Sequence, residues 1–437
     1  GAEGSVIVFG PQLERGSSPT AYNATAAQVP RLEYGSSGNP LGLLVEEERE
    51  NLLPNSEDLS SYSLVNRATA TTNTAVAPDG STTADTLTED NSSNTTHYAR
   101  NSISVTSGTT YTYSVYCKAN TRDHVRVLLG DPANAFPSGD TGINVDLTDG
   151  SYTGGTALDA SSVTNVGNGW WRISVTSTAI STTSSGYAYV FLHDGASANY
   201  DGDNASNIFV WGAQLEQGAG PTSYIPTSGA SALRPADDIT LSTSSFGYSD
   251  VAGSVLANFT LASETSSGDF PHVWTLTNAA GTSKIAAFMD ETATPDNLDL
   301  IYRSYAGGAN PGTYRFRGTV TQPTYGSAVA LSMRYADGNF GSALDGTLST
   351  SPTENTSGET YTGLSRTSVE LGGDAVGNAI NGHIRRFTYW PRAISDEQLA
   401  EYTDISNIKY FGEDVTSNGI KNPGVLSLNE HYLFSKQ

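Results

Sequence analysis

Short runs in which apolar and polar residues alternate recur along most of this chain, separated by turns rich in Gly, Asn and Asp. A period of two puts one face of a strand in a core and the other in solvent. In the middle of the chain the clearest runs cover residues 103–118, 124–129, 170–178, 187–193 and 207–215. Turn signals stand between them at Pro78-Asp79-Gly80, Ser107-Gly108, Asp149-Gly150 and Gly167-Asn168-Gly169. A second series covers 254–261, 272–277, 284–289, 298–302, 313–320, 328–335, 368–371 and 383–390. Strands at this spacing, with no helical pattern between them, predict antiparallel sheets packed as sandwiches. One helix is predicted after the last strand. Ser395 can cap it, Gln398 completes a capping box, Asp396 and Glu397 suit its positive end, and Leu399 and Tyr402 share a face. The fold class is therefore all-β: tandem antiparallel β-sandwiches with one short helix near 395–404.

An internal repeat organises the chain. The run from Val8 to Tyr22 lies over the run from Val210 to Tyr224 without a gap, with Val, Gly, Gln, Leu, Glu, Gly, Pro, Thr and Tyr agreeing in place. The second copy closes a domain, so the first is expected to close one as well. Its body is either outside this chain or supplied by another subunit, and the former is favoured because an isolated strand is marginal in water. The expected division is 1–35 as this closing strand plus connector, 36–232 as one sandwich, 233–405 as a second and 406–437 as a tail. The tail is too apolar at its end for a free linker and is expected to dock on its own domain or on a neighbouring chain. Between Pro40 and Pro54, the run Leu41 to Leu53 is open to helix or strand. Its charged stretch, 46–50, reads as a solvated face.

Charge narrows the partners. With 45 acidic and 22 basic residues the net charge is −23, which repels nucleic acid and anionic membrane surfaces. No apolar run approaches the length of a membrane span, so neither nucleic acid nor membrane insertion is expected. The single cysteine, Cys117, lies in the alternating run Tyr111 to Lys118 and reads as a small buried residue.

A resemblance adds to this. The runs Gly42 to Asp58, Ala77 to Leu87, 105–119, Gly167-Asn168-Gly169-Trp170-Trp171-Arg172 and Val210 to Pro226 together resemble a repeat module of bacteriophage head-spike and tail-fibre proteins. That resemblance implies a jelly roll like the carbohydrate-binding modules of secreted glycosidases, on a virion surface protein, as a homotrimer among other virion proteins. The run Asn381 to Leu399 resembles the end of the concanavalin A-like (laminin G-like) lectin sandwich, in which a last strand, a Trp-Pro-Arg turn and a capped helix follow one another. The expected function is a structural virion fibre or spike attached to host surface polysaccharide. The alternative is a polysaccharide-degrading enzyme or an accessory carbohydrate-binding module of one.

Candidate chemistry follows the same line. Glycosidases of the lectin-like fold carry Glu-x-Asp-x-x-Glu on one strand, and no such run occurs; paired carboxylates at fixed separation are what glycoside cleavage needs. No enzyme activity is expected. Sugar rings are held by aromatic platforms flanked by polar groups, and the candidates are Trp170, Tyr187, Tyr189 and His193 in the central block and Tyr302, Arg303, Tyr305, Tyr314 and Arg315 in the lectin-like block. Trp171, Trp211 and Trp390 are expected in cores or seams. Tyr200-Asp201-Gly202-Asp203-Asn204 resembles part of a calcium loop without its distal Glu. No cofactor is expected, and Asp201 and Asp203 are the residues that a structural Ca²⁺ would use.

Overall fold

The computed structural model describes residues 31–404, except 35–39, 131–134, 262–270, 280–282, 291–296, 305–312, 322–325, 337–338, 340, 350–353, 356–365 and 374–378, together with Leu426–Leu428. The chain is all-β, built of antiparallel sheets in tandem sandwiches. Among the described residues the single α-helix is Asp396–Thr403. Its predicted cap is present: the Ser395 hydroxyl accepts the Gln398 N–H, and the Gln398 side chain accepts the Ser395 N–H.

In the central sandwich, one six-stranded sheet runs in the order Tyr152–Gly154, Gly142–Asp146, His124–Gly130, Thr183–His193, Tyr98–Val105, Leu64–Asn66. The opposing six-stranded sheet runs Ala160–Gly167, Trp170–Thr178, Thr110–Ala119, Asn207–Gln217, Ala84–Glu89, Ala68–Ala75. The alternation decides what enters the core: Ala99, Ile103 and Val105 from one sheet meet Tyr111, Tyr113, Val115 and Cys117 from the other. Cys117 is fully buried, and burial pushes its thiol pKa up, so it is the inert side chain expected.

The second sandwich packs an eight-stranded sheet against a seven-stranded one. Its core holds Val255, Phe259, Trp274, Leu276, Met333, Val369, Phe387 and Tyr389. The tail segment Leu426–Leu428 pairs with Phe387, Thr388 and Tyr389 of this same domain.

The repeat motif is explained by its second copy. Gly212 has φ +62°, and a Cβ there would meet the Tyr116 ring at 2.9 Å. The strand bulges between Trp211 and Gln214. Beyond the bulge, Gln214 Oε1 accepts the Ile225 N–H at 2.7 Å, and the buried Glu216 carboxylate accepts the Thr222 N–H at 2.6 Å and its hydroxyl at 3.1 Å. Gly, Gln, Glu and Thr thus fold the strand back on its own return segment. The first copy, 8–22, lies outside the described residues.

The connector settles as strand, in two pieces. Pro40–Val45 pairs with Gly382–Trp390 in the second sandwich, while Arg49–Asn51 pairs with Ala232–Arg234. The solvated face expected at 46–50 is corrected: Glu46, Glu47 and Arg49 are buried and only Glu48 is exposed. Most of their partners lie outside the run. Glu46 meets Arg31 at 2.6 Å and Arg234 at 3.6 Å, and accepts the Ser223 N–H at 2.7 Å. Asp237 takes Arg31 at 2.8 Å and the Glu46 N–H at 2.9 Å. Two guanidiniums therefore balance two carboxylates. Glu47 pairs with Arg49, and its N–H donates to Asn381 Oδ1 at 2.9 Å. Asn51 completes the seam. Its amide donates to the carbonyls of Ala213 at 3.1 Å and Ile225 at 2.9 Å, and its oxygen accepts the N–H groups of Leu53 and Leu215, both at 3.1 Å.

Two outcomes follow. Asn51→Ala strands two carbonyls and two N–H groups in a buried site and should cost about 2–4 kcal/mol, read as a lower urea midpoint by near-UV circular dichroism. Burial works against ionisation of Glu46, but Arg234, Arg31 and the Ser223 contacts outweigh it and hold its carboxyl below the ordinary value. A depressed carboxylate lends stability that is present above the unfolded-state pKa, about 4.3, and is lost as pH falls through the folded value. Glu216, raised by burial, acts with the opposite sign. Glu46→Gln should therefore cost about 3–5 kcal/mol at neutral pH and flatten the acid limb of the stability profile. An unchanged acid limb in the variant would contradict the assignment.

Candidate functional site

The outer surface of the first six-stranded sheet carries side chains of a different kind from its core. Along Thr183–His193, Ala188, Val190 and Leu192 point inward, and Tyr187, Tyr189 and Phe191 are half-buried on the outside. On the neighbouring strand the outward residues include Tyr98, Arg100 and Ser102. Antiparallel register sets Phe191 opposite Tyr98, Tyr189 opposite Arg100 and Tyr187 opposite Ser102. On the other side, Arg126 lies opposite Phe191, and His124 opposite His193.

The rings form a continuous patch. Tyr189 and Phe191 stack with centroids 5.0 Å apart and planes 19° apart. Tyr98 packs edge-on to Tyr189 at 5.4 Å and leans on Phe191 at 5.0 Å, while Tyr187 packs edge-on to Tyr189 at 5.7 Å. Arg100 sits among them. Its guanidinium carbon is 3.8 Å from the centre of the Tyr187 ring and 5.7 Å from that of Tyr189, and its Nη1 donates to the Tyr189 hydroxyl at 3.0 Å. A guanidinium over an aromatic face is held by the ring quadrupole. Burial works to lower the Arg100 pKa, yet the Tyr189 bond and the surrounding tyrosines raise it on balance, so the group stays charged. Burial likewise pushes Tyr189 up, against the pull of Arg100, and keeps its hydroxyl protonated.

The far end of the patch is polar and internally paired. Arg126 bonds Asn144 at 2.9 Å and ion-pairs with Asp140. His124 contacts Asp123 at 2.8 Å and Asp146 at 3.6 Å, and stacks on His193 with centroids 6.2 Å apart. Burial lowers the His193 pKa, with Asp194 opposing, and its Nδ1 accepts the Gly195 N–H at 3.0 Å.

The structure brings Tyr187 and Tyr189 together in this patch. It sets His193 at the margin, buried and committed to Gly195. It removes Trp170 altogether: that residue belongs to the opposite sheet, is 1% exposed, and donates its indole N–H to the Val76 carbonyl at 3.1 Å within a satellite cluster with Tyr116 and Trp211. The expectation that Trp170 forms a ligand platform is corrected for that reason. Trp211 is buried and bonds Thr83, Trp171 donates to the Leu147 carbonyl, and Trp390 stacks on Tyr402, as core or seam positions require. In the second sandwich, Tyr302 is paired in register with Tyr314, Ile301 with Arg315, and Arg303 with Thr313; the side chains of these residues, and Tyr305 entirely, lie outside what is described.

Asp201 and Asp203 serve turns. Asp201 accepts the Asn94 N–H at 2.6 Å, and Asp203 accepts the N–H groups of Ala205 at 2.8 Å and Ser206 at 2.6 Å. The Ser206 bonds hold the Asp203 carboxyl well below the usual range. Among the described residues no group of three or more His, Cys, Asp or Glu side chains is arranged to hold a metal.

Sequence reasoning missed Tyr98, Arg100, Phe191, Arg126 and His124. The signal was the period-two run Tyr187-x-Tyr189-x-Phe191, whose outward face would have pointed to Tyr98-x-Arg100 once the two strands were paired.

No protein-family model matches the chain, and no curated protein matches it. Among solved structures the chain is similar to the mouse laminin alpha1 chain, domains LG4-5, at 10% identity and a TM-score of 0.23, over 76% of this chain and 92% of that one.

Because Trp170 lies away from the patch, Trp170→Ala should lower stability by about 3–5 kcal/mol, the cost of a large buried truncation. The near-UV signal of the tyrosine patch should be unaltered in the folded variant.

Proposed function

We propose that this protein is a structural fibre or spike component of a virus particle that holds host surface glycans on the tyrosine–arginine patch of its central sandwich, and that it binds without cleaving. The observation that carries the proposal is that patch: four half-buried rings, Tyr98, Tyr187, Tyr189 and Phe191, gathered with a charged guanidinium on the outer surface of a sheet. A sugar presents C–H faces that pack on aromatic rings and hydroxyls that need polar partners at the edge. Here Ser63 and Ser102 are exposed beside Arg100. Rigid rings on a sheet lose little entropy when a ligand docks, which suits weak, repeated contacts.

The placement on a phage particle rests on the resemblance of the central block to head-spike and tail-fibre modules. In such a particle the chain would sit at the surface beside other virion proteins. A homotrimer would multiply a weak sugar contact into useful avidity through effective concentration. The acids near the patch are engaged with Arg126 and His124, which favours holding a ligand over acid–base work on one.

The test is a glycan array probed with the full chain and with Tyr189→Ala. Removing this central ring should weaken binding about 5- to 30-fold, in line with aromatic anchors elsewhere, while the thermal midpoint stays within a few degrees. Saturable release of reducing ends from a bound polysaccharide would instead make the chain a polysaccharide-degrading enzyme.

A further inference from the structure

We infer that the patch takes an acidic glycan, a saccharide bearing carboxylates, and that Arg100 is the residue that binds the carboxylate; this rests on the glycan-binding proposal and adds the ligand's chemical class. The starting point is charge. In a chain of net charge −23, Arg31, Arg122, Arg126, Arg234 and Arg334 each have a carboxylate within 4.0 Å, while Arg172 and Arg386 bond hydroxyls and have no such carboxylate among the described residues. Arg100 has none among the described residues. Its cross-strand neighbours are Leu64 and Tyr189, and its neighbours two residues along the strand are Tyr98 and Ser102. Asp140 and Asp146, by the Arg126 end of the sheet, are engaged with Arg126 and His124.

A guanidinium carries five N–H donors in a planar fork. Arg100 uses one on the Tyr189 hydroxyl, and its Nε–H, buried, has no partner among the described residues. The Tyr187 ring fixes the group by its face, which neutralises no charge and leaves donor capacity unspent. Carboxylates fit that fork bidentately. A neutral sugar stacked on these tyrosines would have no use for a positive charge at their centre. A carboxylated sugar would place its ring on Tyr187 and Tyr189 and its anion on Arg100. Charge complementarity in an otherwise acidic protein also sets selectivity: a polyanion is repelled by the surface at large and accepted at this point.

The experiment is calorimetric titration of the full chain with oligogalacturonate, alginate and hyaluronan oligosaccharides and with the carboxyl-reduced form of each. At least one acidic form should bind about 10- to 100-fold more tightly than its reduced counterpart, the size expected of a charge-assisted bidentate contact. Arg100→Gln should erase that difference, and Arg100→Lys, which keeps the charge but not the fork, should restore only part of it. Both variants should keep the parent's thermal midpoint. Equal affinity for acidic and reduced forms, or binding untouched in Arg100→Gln, would overturn the inference and leave the glycan-binding proposal standing. Binding of no saccharide in either form would overturn both. Self-association of the chain that disappears in Arg100→Gln would assign the patch to contact between copies and overturn the inference.

Discussion

The Glu46 carboxylate, sunk between Arg31, Arg234 and the Ser223 N–H, is the contact on which the arrangement of this chain turns. Taking a carboxylate out of water is costly, and only paired charges with good hydrogen bonds offset it. That need draws together three segments far apart in the sequence: the strand Arg31–Tyr34, the return segment that follows Asn207–Gln217, and the stretch entering the second sandwich around Asp237. One residue earlier, Val45 is fully buried in the core of the second sandwich. The connector thus joins an apolar core and an ionic seam at adjacent positions.

The patch of tyrosines depends on a different economy. Its strands are fixed from behind by a buried core, so backbone register decides which residues face outward, and the rings then pack on one another. Arg100 illustrates what that permits. A cation can be kept with no counter-ion among the described residues, because Ala99 and Asn101 on either side are already committed to the interior.

Much of the fold was legible. Alternation located the long strands because a half-buried strand cannot satisfy both of its faces otherwise. The helix announced itself through Ser395 and Gln398, whose bonds are local and so are visible at fixed spacing. The failures were non-local. The acids at 46–50 looked solvated because the groups that bury Glu46, Arg31 and Arg234, lie outside the run and are brought to it only by folding. Trp170 looked like a platform because its burial is supplied by the segment around Val76, which only the folded sheet brings over it. Half of the patch was visible in one strand, and the other half needed the knowledge of which strand lay beside it.

Connecting segments are ordinarily where a protein absorbs insertions and deletions. Here the opposite holds between Pro40 and Asn51. A strand shifted by one residue turns every side chain to the other face, and the loss of a single codon would carry Glu46 into the place of Val45, against Gly372, where even a Cβ on that glycine would meet the valine at 2.6 Å. The segment that reads most like a linker is therefore the one whose length descent can least afford to vary, and change in module spacing has to enter through the loops instead.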